Sequence, residues 1–263
     1  MTRLLVLGSS HTGALKSGVP RFRGRFPDVD VEFFAVPAPV FLTGRVNKEG
    51  VYVPGFRKDK DRELANAING AEQIDLTAFD HILVVGFRFE LISTAALLQT
   101  YDLLEGTDTG KDRACSMEFV DATMAATTAR IAKMVRRCLG PDRNFTLTEA
   151  PYPSAAIGER ADDYEPARVI DNFIRHPDAE GLFQKWLKGV EDAVTQLGHG
   201  FLSQPADTIA APFATKAQYA LGGTSADGEE MSGTDHRHMN GDFGLRVLET
   251  FATQKLNLQP IAA

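Results

Sequence analysis

The chain has 263 residues, 43% of them hydrophobic, which suffices for a substantial buried core and favours one large domain over residues 1–263 rather than two small ones. Its formal charge of −7 comes from 28 Lys and Arg scattered among 35 Asp and Glu, so it carries no electrostatic footprint for a phosphate backbone or an anionic lipid surface. Neither nucleic acid nor a membrane is an expected partner, and nothing in the composition speaks to oligomeric state.

In chain order, residues 4–7 form a short apolar run that reads as a first strand. It breaks at Gly8, with no small-residue cleavage site after it, and is too short for a signal peptide. Ser9-Ser10-His11-Thr12-Gly13 then falls at a strand-to-helix turn. Residues 29–36 predict a second strand, and 43–56, with β-type residues on either side of a turn ending in Gly50, predict an inserted hairpin. Lys58-Asp59-Lys60-Asp61 reads as a solvated helix start, and 81–85 as a third strand.

The spacing of Val120, Met124, Ile131, Val135 and Cys138 predicts a helix over 116–139, stopped by Gly140-Pro141. Cys138 sits on its apolar stripe, so Cys115 and Cys138, the only cysteines, are expected as buried thiols in a reducing cytoplasm. A fourth strand at 145–148 leads into Glu149-Ala150-Pro151-Tyr152-Pro153. A helix over about 179–197 ends at Gly198, a fifth strand follows at 200–203, and 222–233 has the composition of a mobile loop. The last helix is expected from near 239 to 251. Strands alternating with helices of this length imply a three-layer α/β fold around a five-stranded parallel sheet.

The chemistry concentrates at the two ends. A serine hydroxyl needs a base to remove its proton, and the base needs an acid to hold its tautomer. Ser10 follows the first strand, while Asp235 and His238 precede the last helix. Ligands of open parallel sheets bind at the carboxyl ends of the strands, so both segments are expected to face one crevice.

These residues resemble the SGNH (GDSL-type) hydrolases. Gly8-Ser9-Ser10-His11 is similar to the family's Gly-Asp-Ser turn, with Ser9 in place of the acid and Ser10 as nucleophile. Asp235-His236-Arg237-His238 matches its Asp-x-x-His motif, continued by Asn240 and Phe243-Gly244. The resemblance implies a flavodoxin-like sheet of order 2-1-3-4-5 and a Ser10–His238–Asp235 triad. The family's oxyanion donors are a Gly after the second strand and the Asn of a Gly-x-Asn-Asp motif after the third. Here those places hold Val36-Pro37-Ala38-Pro39 and Gly86-Phe87-Arg88-Phe89. Ala38 can supply a backbone N–H, and Gly86 and Arg88 stand where the Asn would be, with a guanidinium able to meet an oxyanion or an acidic substrate group.

Each of these residues has a plainer reading as well. Ser9 or Ser10 would serve as a helix cap, and Thr234, Asp235 or His238 as turn formers. His236 and His238, with His11, would suit a divalent metal. His11 is expected to shape the pocket rather than act as base, Trp186 to belong to the core, and Tyr152 and Asn240 to line the substrate site. The combined expectation is a cofactor-free serine esterase or deacylase acting on a short acyl ester of a glycan or small molecule. An acyltransferase on the same triad, a non-catalytic carbohydrate-binding relic and a metal-dependent hydrolase are the alternatives.

Overall fold

The computed structural model describes residues 1–89, 91–141, 143–233 and 235–261; Thr234 lies outside them. Five strands make the central sheet: β1 (Thr2–Gly8), β2 (Val29–Ala35), β3 (His81–Phe87), β4 (Thr146–Glu149) and β5 (Gly200–Leu202). All pair in parallel, in the order β2-β1-β3-β4-β5, which is the 2-1-3-4-5 order expected. Parallel pairing forces a crossover between strands, and helices supply about half of that connecting chain: α1 (Thr12–Arg25), α2 (Ala38–Thr43), α3 (Asp59–Asn69), α4 (Ile92–Leu97), α5 (Met117–Leu139), α6 (Glu165–Ile174) and α7 (Ala179–Gln196); α8 (Gly241–Lys255) follows the last strand.

The central position of β1 explains its unbroken apolar run. Leu4, Leu5, Val6 and Leu7 are all 0% exposed, because the strand is covered on both faces. Leu5 and Leu7 join a core with α5 and α7, whereas Leu4 and Val6 join one with α1 and α8, as the alternation of strand side chains requires. Each such side chain contributes about 2 kcal/mol by leaving water.

Among the helices, α5 keeps the expected stripe, with Ser116 Oγ accepting the Phe119 N–H at its start and Gly140 closing it. Gly198 takes φ +83° after α7, the left-handed stop that glycine permits. Both cysteines are buried free thiols. No helix among the described residues is long and apolar enough to cross a membrane.

Helices α1 and α8, from opposite ends of the sequence, pack backbone against backbone. A Cβ added at Gly244 would stand 1.9 Å from the Ala14 carbonyl oxygen, and one at Gly18 would stand 2.5 Å from the Leu245 nitrogen. Only glycine allows this approach, and it holds the segment ahead of α8 against the turn ahead of α1.

Three features depart from the sequence expectation. The 43–56 hairpin is present as Arg45–Val46 paired with Val51–Val53, but a third strand, Ile74–Asp75, extends it into a small sheet. The 222–233 segment is folded on itself rather than open. Met231 N–H donates to Gly223 O, Ser225 N–H donates to Glu229 O, and Thr224 Oγ1 lies 3.1 Å from Ser17 Oγ on α1. A tight antiparallel pair, Ile209–Ala211 with Ala214–Thr215, and helix α6 were not among the expected elements, although Ala167, Ile170, Phe173 and Ile174 give α6 an apolar face of helical period.

Candidate active site

Ser10 leaves the carboxyl end of β1, and His238 leads into α8. Their contact closes a loop of 228 residues: His238 Nε2 lies 2.9 Å from Ser10 Oγ. On the other side of the imidazole, Nδ1 lies 2.8 Å from Asp235 Oδ2. An ionised Asp235 has no proton to give, so Nδ1 carries the hydrogen and Nε2 accepts from the serine hydroxyl. Ser10 is therefore not the cap of α1. The cap position is His11, whose side chain makes no capping bond, and Thr12 Oγ1 donates to the Ser9 carbonyl.

The Asp-x-x-His spacing has a mechanical meaning here. Asp235 Oδ1 accepts the backbone N–H groups of Arg237 at 2.7 Å and His238 at 3.0 Å, which folds the turn and returns the ring of His238 to the second carboxylate oxygen. One carboxylate thus shapes its own turn and orients the imidazole. Burial opposes its charge, but the bonds from the Arg237 N–H, the His238 ring and the His238 N–H outweigh that cost and hold its pKa below the ordinary value.

His11 lies on the far side of His238. The two rings stack with centroids 5.0 Å apart, and His11 Nε2 is 3.4 Å from the Arg88 guanidinium. Burial first, then the neighbouring His238 and Arg88, hold the His11 pKa well below its ordinary value, so it packs on the triad as a neutral ring. Arg88 is brought there by a bulge in β3 between Val85 and Phe87. Gly86 makes the bulge possible: its φ is +108°, and a Cβ on it would stand 2.4 Å from Ser9 Oγ. Gly86 therefore serves the packing of the Ser9-Ser10 turn.

The other expected site residues divide. Ala38 is the exposed first residue of α2, just beyond β2, and Val36 N–H donates to Gly8 O at the same sheet edge. Asn240 is fully engaged in structure: its Oδ1 caps α8 by accepting from Asp242 and Phe243, and its Nδ2 donates to Gln218 O and Leu221 O. His236 is buried, with its carbonyl accepting the Ser154 N–H. Among the described residues no group of three or more His, Cys, Asp or Glu converges as metal ligands would.

Tyr152 lines a cavity of about 110 Å³ that His11, Arg88 and Arg237 also border. Its walls include Trp186 and Phe213, and Trp186 Nε1 donates to Phe89 O. Phe213 holds φ +59°, costly for a bulky side chain, and its ring lies 5.3 Å from Tyr152 and 5.7 Å from Trp186. Inside sits Glu149, 6% exposed, whose Oε2 accepts from Tyr152 Oη at 2.6 Å. Burial drives its carboxyl up to about 8, against the pull of that tyrosine.

Glu149 and Arg237 were not singled out from sequence. Both carried a signal: a carboxylate ending a parallel strand, and a cation inside the Asp-x-x-His turn. A larger groove of about 690 Å³ runs between α5 and α7; neither space is lined by the triad itself, but only the smaller one is bordered by His11, Arg88 and Arg237, the residues next to it. No protein-family model and no curated protein matches the sequence, so the chemistry is read from the geometry of the site itself.

Proposed function

We propose that the chain is a serine esterase of the SGNH (GDSL-type) class, with the flavodoxin-like fold of that class, cleaving a short acyl ester of a small molecule or glycan. The observation that carries this reading is the unbroken relay Ser10 Oγ–His238 Nε2 and His238 Nδ1–Asp235 Oδ2, at 2.9 and 2.8 Å. A helix cap or a turn former has no need of it, and it meets the reach required of nucleophile, base and orienting acid. The strand order and the stacking of neutral His11 on the base add support.

In this reading Ser10 Oγ attacks the ester carbonyl carbon while its proton passes to His238 Nε2. The imidazolium is stabilised by ionised Asp235, and the tetrahedral oxyanion is held by the backbone N–H groups of Ser10 and Ala38; as the first residue of α2, Ala38 spends its N–H on no intrahelical bond. Collapse breaks the C–O bond, and His238 returns its proton to the departing alcohol. Water then attacks the acyl-serine carbonyl, giving its proton to His238, and the second collapse releases the acid and restores the Ser10 hydroxyl. Arg88, in the place of the family's Asn, borders the cavity beside the triad, where its guanidinium can donate to the oxyanion or meet an acidic group of the substrate.

Labelling with a fluorophosphonate tests the assignment. The parent chain should label on Ser10 with one equivalent, and Ser10→Ala should lose both labelling and short-chain aryl ester hydrolysis by about 10⁴-fold or more. Equal labelling of Ser10→Ala would remove the serine from the mechanism.

A further inference from the structure

The cavity beside the triad is not a plain apolar slot. At about 110 Å³ it has room for a chain of three or four carbons. Its aromatic walls suit such a chain. Two residues bordering it each carry a buried polar atom with no hydrogen-bond partner among the described residues: Glu149 at Oε1 and His11 at Nδ1. Glu149 is the more informative, because it is 6% exposed, its other oxygen is already fixed by Tyr152, and an unpaired buried carboxyl oxygen is costly.

We propose that this cavity receives a short acyl group bearing a hydroxyl on its third or fourth carbon, with that hydroxyl paired to Glu149 Oε1. The proposal rests on the esterase reading and names its substrate class. A hydroxyl suits Glu149 in either protonation state, since it donates to a carboxylate and both donates to and accepts from a carboxylic acid. An ammonium would also pair with the carboxylate, but Arg88 and Arg237 border the same small space and repel it. A carboxylate at that depth would face Glu149 itself.

The test compares kcat/KM for ethyl butyrate, ethyl 3-hydroxybutyrate, ethyl 4-hydroxybutyrate and ethyl 3-aminobutyrate, followed by acid release. One of the two hydroxylated esters should exceed ethyl butyrate by about tenfold or more, because only it pairs the buried oxygen. Glu149→Leu should bring that ratio to within about twofold, and Glu149→Gln, which keeps the shape and can still hydrogen-bond, should retain part of it. Equal rates for plain and hydroxylated esters, a ratio untouched in Glu149→Leu, or preference for the amino ester would overturn the proposal. Fluorophosphonate labelling separates the two layers. A chain that labels on Ser10 without hydroxyl preference keeps the esterase reading and loses this one. A chain that does not label loses the esterase reading, and calorimetry with 4-hydroxybutyramide against butyramide then decides the cavity, tighter binding of the hydroxylated amide supporting it and equal binding refuting it.

Discussion

Two carboxylates, Asp235 against His238 and Glu149 in the cavity that His11 borders, are built in opposite ways. Asp235 stands in a turn that supplies three hydrogen-bond donors, and it is held ionised below its ordinary pKa. Glu149 stands in a cavity with one donor, Tyr152, and burial lifts it to about 8. Depth and the supply of donors together set which of them carries charge at neutral pH: Glu149 is the more deeply buried and the less bonded. The charged one can balance a cationic imidazole, and the neutral one is free to read a neutral substrate group.

The most severe way to break this contrast is Asp235→Asn. The amide oxygen can keep both backbone bonds, but its NH₂ would donate to Nδ1 and move the ring hydrogen to Nε2, where it blocks proton transfer from Ser10. Turnover should fall by about 10³- to 10⁴-fold with the fold intact, as read by ester hydrolysis and circular dichroism. A variant within tenfold of the parent would show that the acid is dispensable.

Stability against pH sharpens the contrast because the signs are opposed. Asp235, with its pKa depressed in the folded state, contributes stability that is present above its unfolded value near 3.8 and is lost on acidification through the folded one. Glu149, raised from 4.5 to about 8, is most favourable below 4.5, and its contribution declines as pH rises through about 8. Glu149→Gln removes that titration. The thermal midpoint of the parent should decline relative to that of Glu149→Gln between pH 5 and 8, by an amount on the order of a few kcal/mol in stability. Parallel midpoint curves across this range would mean that Glu149 is ionised in the fold. The smallest effect is expected for Tyr152→Phe, which takes away the one donor Glu149 has. It should cost about 1–2 kcal/mol in urea unfolding at pH 6 and carry the same pH decline on to higher pH; an unchanged urea midpoint would show that the Tyr152–Glu149 bond contributes nothing.

The two carboxylates also differ in how plainly the sequence announces them. Asp235 and His238 are three residues apart, and the turn that joins them is local, so spacing alone encodes the contact. The strands at 4–7 and 81–85 are likewise local signals, a few consecutive apolar residues between turn formers. Glu149 belongs to a cavity gathered from Phe87–Phe89, Tyr152, Ile170, Trp186 and Phe213, and no period connects those positions. Burial of its side chain arises only after β3 and β4 pair and α7 docks. The same reason hid the folding of 222–233: its polar composition resembles an open loop, but its hydrogen bonds are satisfied internally and against α1. Trp186 illustrates a middle case, since the helical stripe correctly makes it core while leaving unseen that one edge borders the cavity.

The backbone contact between α1 and α8 has a consequence in time. Domains begin to fold from their leading end as the ribosome releases them, yet here the first helix waits for the last before its glycine face is covered. Leu4 and Val6 lack the α8 side of their packing until then, and Ser10 lacks its contact with His238. On the proposed esterase reading, a chain that ends before His238 carries a serine without its base. Reactivity of that hydroxyl is then a late event of biosynthesis, and an active-site label would report folding that has joined the two ends.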